Sequence, residues 1–192
     1  MKKQLIPFMI VIAFIVIAAA ILIPSYNSFV QLEEAVDESY AQLENQLQRR
    51  HDLIPNLVET VKGFAGQEQD IIDSVTEARS NLAGAKGVSE QAGADAELSG
   101  ALSRLLAVVE NYPEIRSSEN FQQLSDELAG TENRIAVARQ DFNGTVSGFN
   151  RKAKSFPGNV VAAVFGFSEK QYFGADPDAS DAPEVDFGST KE

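Results

Sequence analysis

The one histidine of this chain, His51, stands in the run Arg49-Arg50-His51-Asp52, beside a carboxylate and two guanidinium groups. An imidazole next to an aspartate is the beginning of a general base. To act as one it also needs a nucleophile to activate and a group to orient it, and nothing in the sequence nominates either. A carboxylate-bridged di-metal centre in a helical bundle takes Glu-x-x-His from two helices. Here residue 48 is glutamine and there is no second histidine. The chain has no cysteine, which removes thiolate chemistry and Cys-ligated zinc or iron–sulfur sites. The Gly-rich stretch at residues 84–93 lacks the Gly-Lys-Ser/Thr ending of a phosphate loop and follows no strand. The expectation is a protein without catalytic residues, metal or cofactor, with His51 a polar residue on the flank of a helix. A metal-dependent hydrolase built on His51, Asp52 and bundle carboxylates is the enzymatic alternative.

Other charged and amide residues interrupt apolar stripes. Arg50 and Glu68 fall on the first stripe, and Glu110 ends the second. Glu132, Asn133, Arg134 and Arg139 interrupt the third, where Asn143 and Asn150 follow Phe142 and Phe149 one heptad apart. A buried charge must be paired. Arg50 or Arg139 is therefore expected to bond Glu132 or Glu110 inside the fold, with helix register as the consequence.

The elements that would position these residues are helical. Leu32, Val36, Tyr40, Leu43, Leu47, Arg50, Ile54, Leu57 and Val61 begin a stripe of three- and four-residue spacings that continues to Leu82. Pro55 is expected to kink this helix near Asp52 to Asn56. Residues 83–93 read as a loop. A second helix is expected over about 94–111, closed by Tyr112-Pro113. A third starts from a cap at Ser117 or Ser118 and runs to about Arg151. The chain turns at Phe156-Pro157-Gly158, and residues 159–167 form a short apolar helix. From Gly174 on, an acidic stretch rich in Pro, Ser and Asp is expected to be disordered. No strand signal survives.

Residues 4–31 carry no charge, and between Leu5 and Ile23 the chain is almost wholly aliphatic or aromatic. Roughly 20 apolar helical residues cross a bilayer. An uncleaved anchor is expected over residues 1–25, since the apolar run continues past Ala18-Ala19-Ala20 where a signal peptide would end. Membrane lipid is thus a partner through Leu5 to Ile23. Lys2 and Lys3 precede the span and the next cation is Arg49, so the positive-inside rule puts the remainder on the non-cytoplasmic side. The net charge of −12 and pI near 4.5 argue against nucleic acid and leave lipid contact to the anchor. The expected fold is all-α: an N-terminal transmembrane helix, then an elongated antiparallel bundle of three long helices plus a short C-terminal helix over residues 26–173, then the acidic tail over 174–192.

The run from Leu47 to Phe64, with Arg50, His51, Asp52, Pro55 and Asn56 within it, resembles the signature of the bacterial LemA family. Further blocks resemble it in order: Glu110-Asn111-Tyr112-Pro113, Thr131 to Arg139 with Glu132, Asn133 and Arg134, then Phe142-Asn143, Phe149-Asn150, Phe156-Pro157 and Tyr172-Phe173. Phenylalanine stands at 64 and 142 where the family usually has tyrosine. The resemblance implies a single-span bacterial membrane protein with a helical-bundle domain. It implies no enzymatic activity or cofactor. It also admits an extracellular N-terminus, opposite to the charge reading. The functional expectation is a non-enzymatic, membrane-anchored envelope protein of the inner membrane that forms a homo-oligomer or scaffolds partners. The alternative is a regulator of a membrane protease or signalling protein.

Overall fold

The computed structural model describes residues 2–63 and 68–174, with side chains for these other than residues 2–7 and 18. Six helices follow in order: α1 (Lys2–Lys62), α2 (Gln69–Gly84), α3 (Gly87–Val109), α4 (Pro113–Arg116), α5 (Glu119–Lys154) and α6 (Gly158–Phe165). No strand occurs among the described residues.

Helix α1 has 61 residues, roughly 90 Å at 1.5 Å per residue. Its N-terminal part is long and apolar enough to cross a membrane, and residues 8–17 turn no side chain into the fold. The same helix then enters the bundle without a break. Phe29, Val36, Leu43, Arg50 and Leu57 are buried at seven-residue intervals, with Leu47, Ile54 and Val61 on the neighbouring line. Helix α5 answers with Phe121, Leu128, Ile135, Phe142 and Phe149 at the same interval. A strict heptad keeps two helices in contact over a long seam, and α1 and α5 run antiparallel along theirs.

Helices α2 and α3 form a hairpin over the distal half of this pair. Arg79 of α2 reaches His51, and Asp95 and Ser99 of α3 reach Arg50. Four helices therefore meet at the level of residue 50. The apolar core falls into two clusters on either side of that level. The distal one holds Ile54, Leu57, Val61, Val75, Leu98, Leu105, Ile115 and Phe121, among others. The membrane-proximal one holds Phe29, Val36, Leu43, Phe142, Phe149, Val161 and Phe173.

Two boundaries differ from the sequence expectation. Helix α1 runs through Pro55 and ends at Lys62, before Gly63, where one stripe was expected to continue to Leu82; that stripe resumes in α2 as a returning helix. Glu68 therefore flanks the start of α2, while Phe64 and Gly66 lie outside the described residues. The loop expected at 83–93 shrinks to Ala85 and Lys86. Gly87, at φ +79°, lets the chain enter α3, and the Glu90 carboxylate accepts the Lys86 N–H at 2.8 Å. Gly93 costs the helix about 1 kcal/mol, which burial of its apolar neighbours Ala92 and Ala94 offsets. The expected cap is Ser118, whose hydroxyl accepts the Phe121 N–H at 3.3 Å. The tail beyond Gly174, expected to be disordered, lies outside the described residues.

Candidate functional site

Between the two apolar clusters lies a layer of charge. Arg50 occupies a core heptad position on α1 and is 4% exposed. Its Nη1 donates to Asp95 Oδ1 at 2.7 Å and approaches Glu132 Oε2 at 3.1 Å. Its Nη2 donates to Ser99 Oγ at 2.8 Å. The expected pairing with Glu132 is present. Glu110 is exposed at the end of α3, and the second carboxylate on Arg50 is instead Asp95, which the sequence reading missed. Asp95 sits three residues before Leu98, on the stripe extended backward by one step. Glu132 is half exposed, but Asp95 is buried, and removing the guanidinium would leave its carboxylate unpaired in low dielectric, at a cost of about 3–5 kcal/mol.

Burial raises the Asp95 carboxyl above its ordinary value of 3.8, opposed by the Arg50 guanidinium and reinforced by the Glu132 carboxylate. A raised carboxyl pKa in a cleft is one mark of a catalytic acid. Here the group is enclosed and faces its arginine. A recess between α3 and α5, about 270 Å³, reaches this layer and is lined mainly by Leu57, Leu102, Leu106 and Leu128 with Ser99 and Glu132. The Arg50 head facing it is already bonded on three sides, so the layer reads as an internal register device.

The His51 ring is one residue away and half-buried, with Arg79 Nη2 3.5 Å from its Nδ1. Its Nδ1 lies 3.2 Å from Asp52 Oδ1, and Asp52 also accepts from Gln48 Nε2 at 2.8 Å. Among the described residues no hydroxyl is hydrogen-bonded to the ring. Among the described residues no cluster of His, Asp and Glu could hold a metal.

The backbone of His51 matters more than its ring. Pro55 has no N–H, so the His51 carbonyl four residues earlier loses its helical partner. Arg79 Nε donates to that carbonyl at 3.0 Å. A side chain from α2 thus supplies the bond that proline removed, and α1 continues through Pro55. Asn56 is exposed, and its carbonyl accepts from Thr60 Oγ1 at 2.8 Å.

On the proximal half, Asn143 and Asn150 act as a pair. Asn143 Nδ2 donates to the Phe173 carbonyl and its Oδ1 accepts the Phe173 N–H, both at 2.8 Å. Asn150 does the same with Lys170, at 2.9 and 2.8 Å. Each amide substitutes for a strand partner, and together they strap the extended segment 167–174 along α5. The Phe173 ring is buried, with the Arg139 guanidinium 5.5 Å above it. Arg139 thus stacks on an aromatic face, and no ion pair forms there.

The other family-motif residues stand apart from both features. Asn133 and Arg134 are exposed on α5. Tyr112 donates to Glu68 Oε1 at 3.3 Å, closing the α2 start over the α3 end. Pro113 opens α4. Pro157 precedes α6 in a cis peptide with Phe156.

Comparison with known proteins agrees with this architecture. The family model described as "LemA family" matches residues 39–187. "Magnetosome protein MamQ 1" of Paramagnetospirillum magneticum is 31% identical, over 90% of this chain and 71% of that protein. "Magnetosome protein MamQ" of Magnetospirillum gryphiswaldense is 28% identical, over 84% of this chain and 69% of that protein. "Protein LemA" of Metamycoplasma hominis is 20% identical, over 71% of this chain and 63% of that protein. With one apolar helix long enough to cross a bilayer and a helical bundle continuous with it, the chain belongs to the LemA family as a membrane-associated protein.

Proposed function

We propose that the protein is a non-enzymatic, membrane-anchored rod that assembles with copies of itself and organises the bilayer around it. One observation carries this reading: the membrane-spanning part and the central bundle helix are the same uninterrupted helix, α1. A flexible linker would let a bundle and its anchor move independently. A continuous helix instead transmits any lateral contact between bundles into the tilt and spacing of their spans. The reading is supported by the pairing of Arg50 with Asp95 and Glu132, which commits its guanidinium within the bundle, and by the similarity to magnetosome proteins. In this reading the protein sits in a bacterial inner membrane, with the bundle on the non-cytoplasmic side.

The test is cross-linking in native membranes followed by gentle extraction. Ladders of the full chain crossed with itself support the proposal. Monomers alone under both conditions refute it.

A further inference from the structure

Large apolar side chains left exposed on the bundle gather at its membrane end. Phe156 is 83% exposed, Val164 69%, Phe165 51% and Val160 44%. Val160 and Val164 lie one turn apart on the exposed side of α6, and Phe156 is exposed in the turn before it, while Val161 and Ala162 are buried. From Phe156 to Phe167 there is no charged residue.

The depth of this face follows from contacts to α1. Lys152 Nζ donates to Ser28 Oγ at 2.6 Å, so the end of α5 is level with Ser28. The two helices are antiparallel, so the last two residues of α5, to Lys154, run about 3 Å nearer the membrane. The Phe156 turn follows directly, at the end of the bundle that faces the apolar run ending at Ile23. The Phe165 ring lies 4.9 Å from the Tyr26 ring, which fixes the other end of α6 near the same height. Charge agrees with position. Residues 142–174 hold Arg151, Lys152, Lys154 and Lys170 against Glu169; Lys170 pairs with Glu33 of α1 and Lys154 with Glu169, which leaves Arg151 and Lys152 as the cations without a carboxylate partner among the described residues, in a chain of net charge −12. Apolar side chains over a basic rim are the composition of a helix lying in a bilayer interface.

We infer that α6 and the Phe156 turn form a second membrane contact, in which Phe156, Val160, Val164 and Phe165 enter the interface of the phospholipid bilayer that α1 crosses. Two attachment points fix the tilt of the rod, which one span alone would leave free. The −12 average therefore hides a lipid-binding end, contrary to the expectation that lipid contact runs through the anchor alone.

The chain has no tryptophan, so a single introduced one reports its own surroundings. Full-length Phe156→Trp and Val164→Trp are reconstituted in phosphatidylcholine/phosphatidylglycerol vesicles with brominated acyl chains. Phe14→Trp, inside the span, and Val137→Trp, exposed midway along α5, serve as references. The expected result is strong quenching by brominated lipid at Phe156→Trp and Val164→Trp, as at Phe14→Trp, with Val137→Trp unquenched. Quenching at Phe14→Trp alone, with the α6 reporters open to aqueous acrylamide, overturns the inference and leaves the anchor intact. Reporters shielded from acrylamide but untouched by brominated lipid overturn it too, because another protein surface then covers α6. Loss of quenching at Phe14→Trp as well would refute the anchor itself and the inference with it.

Discussion

Arg79 of α2 donates its Nε–H to the backbone carbonyl of His51 at 3.0 Å, the carbonyl that Pro55 leaves without a helical donor. The relationship explains how Pro55 sits two turns before the end of α1 without ending it there. It also makes the proline a docking point for α2. Arg79→Met should destabilise the protein by about 1–3 kcal/mol, the cost of a stranded buried acceptor. In a Pro55→Ala background the same substitution should cost clearly less, because the restored N–H takes the carbonyl. Thermal unfolding of the four members of this cycle checks it, and strict additivity would contradict the account.

Arg50→Met is the sharper lesion. It leaves the buried Asp95 carboxylate without its cation, while Glu132 is half exposed, and should cost about 3–5 kcal/mol in denaturant unfolding. A cost near that of an exposed ion pair, about 1 kcal/mol or less, would mean that the layer is open to water.

The pH dependence of that layer has a defined sign. Burial raises Asp95, so the folded chain holds its proton more tightly than the unfolded one. The group's contribution to stability is fully present below 3.8 and is lost as pH rises through its higher folded value. Asp95→Asn keeps an acceptor for Arg50 and has no charge to lose. Wild type should therefore fall in stability relative to Asp95→Asn as pH rises just above 3.8. A difference of the opposite slope would show that Arg50 outweighs burial.

Asn143→Leu and Asn150→Leu should each free one end of the strap over residues 167–174. The signature is faster hydrogen exchange at the Phe173 and Lys170 amides respectively, whose N–H groups those side chains accept. Exchange in α2 and α3 should stay slow. Unchanged exchange at 170 and 173 would place the hold elsewhere.

Gly158→Ala probes the turn that aims α6. A Cβ at this position would overlap the backbone of Lys152. Overpacking of this kind costs about 1–3 kcal/mol, and the α5–α6 junction should loosen first. Limited proteolysis near residue 156 reads it, and an unaltered pattern would show that the turn can yield.

The heptad lines of α1 and α5 were legible because their period runs unbroken for many turns, and the Arg50–Glu132 pair followed because charges on a core line need partners. Asp95 was missed although it lies inside the helix expected over about 94–111, because an acidic residue one step before Leu98 carries no apolar signal that would extend the stripe to it. The α1–α2 break was not expected, because the apolar stripe keeps its spacing through to Leu82. Pro55 is tolerated through Arg79, a donor 24 positions away that no local pattern selects. Asn143 and Asn150 were visible as a heptad pair, yet their partners are backbone groups of Phe173 and Lys170, which carry no sequence signal.

The central claim is that the protein works as an assembly of membrane-coupled rods. The measurement that reaches it most directly is electron microscopy of the full-length protein extracted with its native lipid into polymer-bounded particles. The account predicts particles with several bundles side by side over shared lipid, their long axes set at one angle to the bilayer. Uniform particles with a single bundle on a single span would contradict it.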